Sequence, residues 1–233
     1  MRVAQWEIRT GRSLERLLNF SDAVVAVAIT ILALPLVDIG GPKPGQNVLD
    51  VLVANLGHII TFISTFFVVA IMWGIHNRVM NLLNGFDSTI FWLNICWLIG
   101  FVFLPWPASM WAGGDDMAAW ETNTPFTTDG TGVLYWWTLA YISAMGSLVA
   151  VHISRHPELI ASDRKAFWQS LRSTRARYRG AAFFAIFILA GLATLVYSWL
   201  GYWVLLLMLP AGILLRPPRE LRTARDSDAG LGE

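Results

Sequence analysis

The chain has 233 residues, of which 55% are hydrophobic and only 14% are charged, and its formal net charge is +1. A soluble helical bundle of this size would have to leave much of that apolar surface in water, so the composition favours an integral membrane protein. The near-neutral charge offers no footprint for nucleic acid, and the single cysteine, Cys96, excludes an intrachain disulfide and a CxxC metal site.

Six apolar stretches lie along the chain, and most are long enough to cross a hydrocarbon core of roughly 30 Å. Because they are continuous and lack a two-residue alternation, they predict helices and not the strands of a barrel. The predicted fold class is an all-α integral membrane protein with six transmembrane helices per subunit. The predicted spans are residues 17–37, 49–75, 90–106, 133–153, 181–200 and 202–215. They are predicted to form one transmembrane domain, residues 1–216, followed by a cytoplasmic tail, residues 217–233.

The basic residues are sorted to one side of this six-span arrangement. Every Lys and Arg except Lys43 falls in the N-terminal segment, the second-to-third loop, the fourth-to-fifth segment or the tail. The positive-inside rule therefore predicts that both termini are cytoplasmic. The opposite face is expected to be acidic, with Asp38 at the outer end of the first span. An acidic mouth can raise the local concentration of cations, although acidic loops are often only solvated.

One carboxylate, Asp22, lies inside the first span, about a turn and a half from its predicted cytoplasmic edge. Ionisable groups at that depth are costly and normally face protein or water instead of lipid. The candidate partners of Asp22 lie in the first three spans or directly beside their ends, and they are Arg16, Ser21, Trp73, His76, Asn77 and Asn94. A network of these groups would tie the three helices together. The sequence favours this structural role, with a proton-relay or ion-binding role as the alternative.

Beyond Asp22 the first span presents two stripes of residues at helical spacing. One stripe is branched and apolar and comprises Val24, Val27, Ile31 and Leu34. The other is small, which permits close helix approach, and comprises Ala23, Ala26, Thr30 and Ala33. Periodicity alone cannot distinguish a stripe that faces lipid or the protein core from one that lines a hydrophobic pore.

An ordered set of motifs resembles one known family. In the first span an Arg precedes Phe-Ser-Asp by four positions and an Ala-Ile-Thr follows: Arg16, Phe20, Ser21, Asp22 and residues 28–30. The second span closes with Trp73, His76, Asn77 and Arg78, and the third contains Asn94 and FLPWP at residues 103–107. This set is similar to the family of the endosomal and lysosomal potassium channel, transmembrane protein 175, and its prokaryotic relatives. The last three spans agree with that family only in number.

The resemblance implies an assembly and a pore. In that family the first helices of six-helix subunits surround the conduction axis, and prokaryotic members carry one repeat and form homotetramers. The single Phe-Ser-Asp motif here therefore implies four copies. Counted from Asp22, the resemblance places the pore-lining hydrophobic gate on Val27, Ile31 and Leu34 and a selectivity-supporting hydroxyl on Thr30. Val27 stands where the family usually has a bulkier Ile or Leu, so the narrowest ring is either wider there or shifted to Ile31.

The resemblance implies a potassium-preferring cation channel that conducts through a hydrophobic constriction, which closes by dewetting. The expected partners are the lipid bilayer, monovalent cations and the other copies, in a prokaryotic plasma membrane. No cofactor or tightly bound metal is expected, only the permeant potassium ion. A secondary transporter or a proton-permeable leak is the alternative, although Pro35 lies at the end of its span and not at the centre. An enzyme is not expected, since the four histidines make no metal-ligand spacing.

Overall fold

The structure is a computed structural model that describes residues 8–113, 130–164, 174–197, 200–201 and 203–204. In the last long helix, side chains are described from residue 182 onward. The chain divides into two compact units, residues 1–201 and 202–233. Of the second unit, Trp203 and Val204 are described, and both are helical. The rest of the predicted sixth span, the predicted tail and most of the loop between the third and fourth spans lie outside the described residues.

The described part of the chain is mostly helical, as predicted. In chain order its elements are β1 (Arg9–Thr10), α1 (Arg12–Ile31), α2 (Leu34–Val37), α3 (Val48–Ala54), α4 (Leu56–Met80), β2 (Gly85–Phe86), α5 (Ser88–Phe103), α6 (Pro105–Gly113), α7 (Thr131–Arg155) and α8 (Thr174–Val196). Two 3₁₀ turns, Pro157–Leu159 and Ser162–Arg164, follow α7.

Four helical stretches are long and apolar enough to cross a membrane. They are Arg12–Val37, Leu56–Met80, Ser88–Ala112 and Thr131–Arg155. A shorter apolar helix, Ala182–Val196, coincides with most of the predicted fifth span. The predicted class of helical membrane protein is therefore confirmed, with four membrane-length helices in the described residues.

Each of the first two predicted spans is divided into two helices. α1 ends at Ile31 and α2 begins at Leu34, because Pro35 has no N–H to bond the carbonyl of Ile31 four residues earlier. Asn55 separates α3 from α4, and its side-chain amide donates to the backbone carbonyl of Val51 at 2.8 Å. Such local bonds compete with a continuing helix. α4 continues beyond residue 75, the predicted end of the second span, to Met80.

α7 packs between α5 and α8 in the described bundle. Both contacts are close because a glycine faces a large side chain. A Cβ at Gly100 of α5 would lie 2.5 Å from the side chain of Ile142, and a Cβ at Gly191 of α8 would lie 2.6 Å from that of Trp137. α1 packs against α4 and α5, so these two helices provide the contacts for the candidate site.

The loops that the sequence assigns to the cytoplasmic side meet at one end of the bundle. β1 pairs with β2 in antiparallel register, and Leu83 forms an isolated bridge with Ile160. Asp87 caps α5 by accepting from the N–H of Ile90 at 2.8 Å, and it also bonds to His152 at 2.7 Å. An apolar cluster lies at the same end and comprises Leu14, Leu17, Met80, Leu82, Leu83, Phe86, Ile90, Val149, Ile153, Leu159 and Ile160. These contacts hold the beginning of α1 against the rest of the subunit.

Candidate pore helix and its polar anchor

One face of α1 is turned toward its own subunit. Its buried residues recur every three or four positions, which places them on a single side of the helix. They are Leu14, Leu17, Ser21, Val25 and Ala28, and Leu32 just beyond the helix end continues the stripe. The sequence prediction did not include this stripe, although its spacing along the whole of α1 was an available signal.

The predicted gate residues lie on the other side of the helix. In the single subunit the exposed fractions are 57% for Val27, 37% for Ile31 and 55% for Leu34. Small residues are exposed beside them: Ala23, Ala26 and Thr30. The branched and small stripes therefore share one surface, which we call the outer face of α1 and which Leu34 continues at the start of α2. This face is turned away from the rest of the described subunit.

Thr30 lies on the outer face with its hydroxyl bonded to its own helix. The hydroxyl donates to the backbone carbonyl of Val27 at 2.7 Å. This bond uses the single hydroxyl hydrogen and leaves the lone pairs of Oγ1 available to a cation or a water. The support that Thr30 gives to ion selectivity stays a prediction.

A chain of buried polar side chains, here called the polar anchor, joins α1 to α5 and α4. The hydroxyl of Ser21 donates to the carbonyl of Leu17 and accepts from Asn94 Nδ2, both at 2.8 Å. Asn94 Oδ1 lies 2.9 Å from His76 Nε2, which therefore donates the hydrogen in this arrangement. The ring of His76 stacks on Trp97 with 3.8 Å between centroids. Asn94 is fully buried, so its side chain depends on these two partners.

Asp22 bonds to a different residue of α4. Its Oδ1 accepts from the indole Nε1–H of Trp73 at 2.7 Å. Trp73 lies one turn before His76 on α4, and Asp22 follows Ser21 on α1. Two neighbouring residues of α1 are thus linked to α4. Asp22 bonds to Trp73 directly, and Ser21 is linked to His76 through Asn94.

The remaining predicted site residues lie outside these bonds. Arg16 and Phe20 are exposed on α1, and Asn77 accepts from the side chain of Asn81. Within the described residues, Arg16 makes no hydrogen bond or ion pair. Asp38 is exposed directly after α2, where the sequence places the outer mouth. Their predicted roles stay predictions.

Trp97 is the residue of the polar anchor that the sequence prediction missed. It lies three positions after Asn94 on α5, and residues three apart share a helix face. That spacing was the available signal, since a large aromatic residue beside a buried amide can cover it. Among the described residues no group of three or more His, Cys, Asp or Glu side chains could hold a metal.

These features define a helical membrane protein whose first long helix is anchored by polar groups on one side and presents an apolar outer face on the other. Residues 16–105 match the family model described as the endosomal/lysosomal potassium channel TMEM175. The predicted resemblance to that family is therefore confirmed over the part of the chain that carries the outer face and the polar anchor.

Two curated relatives illustrate the match. A human protein named endosomal/lysosomal proton channel TMEM175 is 28% identical over 98 residues, which cover 41% of this chain and 19% of the human protein. A potassium channel of Streptomyces collinus is 35% identical over 96 residues, which cover 40% of this chain and 45% of that protein. The matched region spans less than half the length of either relative.

A solved structure extends the likeness beyond the matched sequence. It is the crystal structure of a lysosomal potassium-selective channel TMEM175 homologue from Chamaesiphon minutus. The TM-score is 0.64 at 20% identity, and the alignment covers 88% of this chain and 98% of that chain. The two chains therefore share a fold that includes helices beyond residue 105.

Proposed function

We propose that the chain is a prokaryotic member of the TMEM175 family and forms a potassium-preferring cation channel, in which four copies surround a pore lined by α1. The observation that carries this proposal is the outer face of α1, with Val27, Ile31 and Leu34 exposed in the lone subunit. Only 22% of the most apolar stretch of Arg12–Val37 is buried, against 44% in Thr131–Arg155. A helix with so few contacts in its own subunit needs other neighbours.

The composition of the outer face favours other copies of the chain over lipid as those neighbours. α5 and α6 expose large side chains that are typical of lipid contact: Trp92, Ile99, Val102, Phe103 and Trp106. α1 instead exposes Ala23, Ala26 and Thr30 between its branched residues. Small residues let neighbouring membrane helices approach closely. Four α1 helices could therefore pack through the small residues and direct the branched residues to a common axis.

The conduction mechanism follows from rings of branched carbons. Rings of Val27, Ile31 and Leu34 would exclude water when narrow, and ions would pass only when the rings widen enough to admit water. Potassium gives up hydration at lower cost than sodium, so a constriction that partly strips water favours potassium. Thr30 would add oxygen contacts near the constriction. The permeant potassium ion is the only ligand in this proposal, and no cofactor takes part.

A proton-permeable pathway is a second candidate. The human and rat relatives, 28% and 27% identical over the matched region, both carry the name proton channel. The observation that favours this reading in the present chain is Asp22, a carboxylate within a membrane-length helix, whose bond to Trp73 is its described contact. Water that reached Asp22 from the pore would give protons a route to this position in the membrane.

The proposal is tested first by flux from liposomes that contain the purified protein. We expect potassium efflux that exceeds sodium efflux and follows the potassium gradient. A pH-sensitive dye in the same vesicles reports proton flux and separates the two candidates. Protein that is correctly folded yet passes no potassium would contradict the channel proposal, and proton flux without potassium flux would favour the second candidate.

The gate is tested by placing a polar residue on the outer face. Ile31→Asn or Leu34→Asn should wet the constriction, raise the resting current and reduce the preference for potassium over sodium, because a polar ring stabilises water where branched carbons excluded it. Thr30→Ala should lower the potassium preference and leave the gate dry. Single-channel recording measures both properties.

A matched pair of valines provides the control for the gate. Val27 and Val102 have nearly equal exposed fractions, 57% and 58%, but Val102 lies among the aromatic side chains of α5 and α6. Val27→Asn should raise the resting current, whereas Val102→Asn should leave it unchanged. Unchanged open probability and ion preference in Val27→Asn, Ile31→Asn and Leu34→Asn would refute the pore assignment.

A further inference from the structure

A small cavity lies behind the break between α1 and α2. Leu32 and Pro35 form part of one wall, His58 and Thr61 of α4 form another, and Ala108 of α6 contributes to a third. Its volume is about 10 Å³, far below the roughly 300–1,000 Å³ of pockets for drug-sized ligands. A cavity needs roughly 10–15 Å³ to hold one water molecule, so this one has the size for about a single water.

Thr61 contributes a buried hydroxyl to this cavity. Its side chain is 2% exposed, and its Oγ1 has no hydrogen-bond partner among the residues that the structure describes. Other hydroxyls in these helices bond back to their own backbone, as Ser21 does to Leu17 at 2.8 Å and Thr138 does to Leu134 at 2.7 Å. Thr61 does not make that bond, so its hydroxyl is free to bond a molecule in the cavity. A buried hydroxyl without a partner is unfavourable.

One further polar side chain lines the cavity, and residues of the helix break, Leu32 and Pro35, line it as well. His58 precedes Thr61 by one turn of α4, lines the cavity and is half-buried. At the break, Pro35 cannot donate a hydrogen bond, so the carbonyl of Ile31 lacks its usual helical donor. A buried water typically makes about three hydrogen bonds. The hydroxyl of Thr61, the ring of His58 and the backbone of the break are groups able to provide them.

We propose that this cavity is a water-binding site, in which ordered water bridges Thr61 to the backbone of the α1–α2 break. The consequence for conduction rests on the proposed function, because α2 begins with Leu34 of the predicted gate. Water can exchange its hydrogen bonds as the break bends, so it lowers the cost of moving α2. The gate would thus be dry on the outer face of α1 and hydrated behind it.

The site is tested by structure determination of the full chain in lipid nanodiscs at a resolution that shows waters. We expect compact density within hydrogen-bond distance of Thr61 Oγ1 in the wild type and in Thr61→Ser, and none in the isosteric Thr61→Val. Thr65→Val is the matched control, because the hydroxyl of Thr65 already bonds to Tyr135 at 2.8 Å. An elongated density, as from a lipid tail, or no density in the wild type would overturn the site.

Potassium flux from liposomes tests the consequence for the gate. Thr61→Val should lower the flux about five- to tenfold, the factor that corresponds to the loss of one hydrogen bond, and Thr61→Ser should restore it. If the wild type conducts no potassium, the proposed function fails while the water density still decides the site. If the wild type conducts and Thr61→Val conducts equally well after losing its water density, the link between the water and α2 is wrong.

Discussion

Asn94 joins two helices to α5 through one side chain, and its replacement by leucine tests whether the polar anchor stabilises the protein. Asn94 Nδ2 donates to Ser21 of α1, and Asn94 Oδ1 accepts from His76 of α4. Leucine branches at Cγ as asparagine does, so Asn94→Leu removes both bonds without leaving a cavity at a position that is 0% exposed. The measured change therefore reports the loss of the polar contacts without a cavity term.

The two lost bonds differ in their expected cost. Ser21 keeps its bond to the carbonyl of Leu17, so it loses a single interhelical bond, worth about 0.6 kcal/mol on average in a membrane protein. His76 stays buried and loses its hydrogen-bond partner, which costs about 1–3 kcal/mol, although its ring keeps the stack on Trp97. We therefore expect the free energy of unfolding to fall by about 2–3 kcal/mol.

The assay is reversible unfolding of the purified protein in bicelles, with Asn81→Leu as the control. Asn81 is exposed, and its side chain donates to the preceding turn of its own helix, so its change should cost less than about 0.5 kcal/mol. Ser21→Ala and Asn94→Leu should be non-additive in a double-mutant cycle, because they remove the same bond. A loss below about 0.5 kcal/mol for Asn94→Leu, or strict additivity of the pair, would refute the reasoning.

Two further predictions concern the bond of Asp22 and the assembly. Trp73→Phe should reduce the free energy of unfolding by about 1–3 kcal/mol because it leaves the carboxylate of Asp22 without its donor. Unfolding in bicelles measures this loss, and Trp92→Phe, a change at a 61% exposed position, is the control. Equal losses of stability in the two variants would contradict the prediction. Four copies should assemble with α1 innermost. Native mass spectrometry should therefore give a tetramer, and Val27→Cys should crosslink neighbouring subunits. A stable monomer that never crosslinks would exclude the proposed pore.

The long helices could be predicted from the sequence, but the breaks at Pro35 and Asn55 differ in how far the sequence predicts them. Pro35 ends a helix by covalent chemistry, so the break before α2 follows from the residue type alone. Asn55 is tolerated inside many helices, and it separates α3 from α4 through the bond of its side chain to Val51. Whether that bond forms depends on the packing around it, which the sequence does not contain. The predicted second span therefore lacked its break.

The polar anchor shows the same limit for the candidate site. Ser21, Asn94 and His76 could be expected to meet because polar groups in membrane helices need partners. The choice of partner for Asp22 could not be read from the sequence, since Trp73 and His76 lie one turn apart on α4 and the rotation of α4 decides between them. The outer face of α1 was ambiguous for a similar reason, because helical spacing does not say which stripe the subunit buries.

The extent of the family match has a physical explanation in the kinds of contact that each half of the chain makes. The match ends at residue 105, whereas the likeness of fold covers 88% of the chain. The polar anchor lies before that limit, and few side chains satisfy a buried hydrogen-bond network. Beyond it, α7 packs through apolar surface and close glycine contacts such as Gly191 with Trp137, and many apolar sequences can fill such an interface. The bonds that orient α1, and that would therefore orient the proposed pore, lie within residues 16–105, the part of the chain that matches the family model.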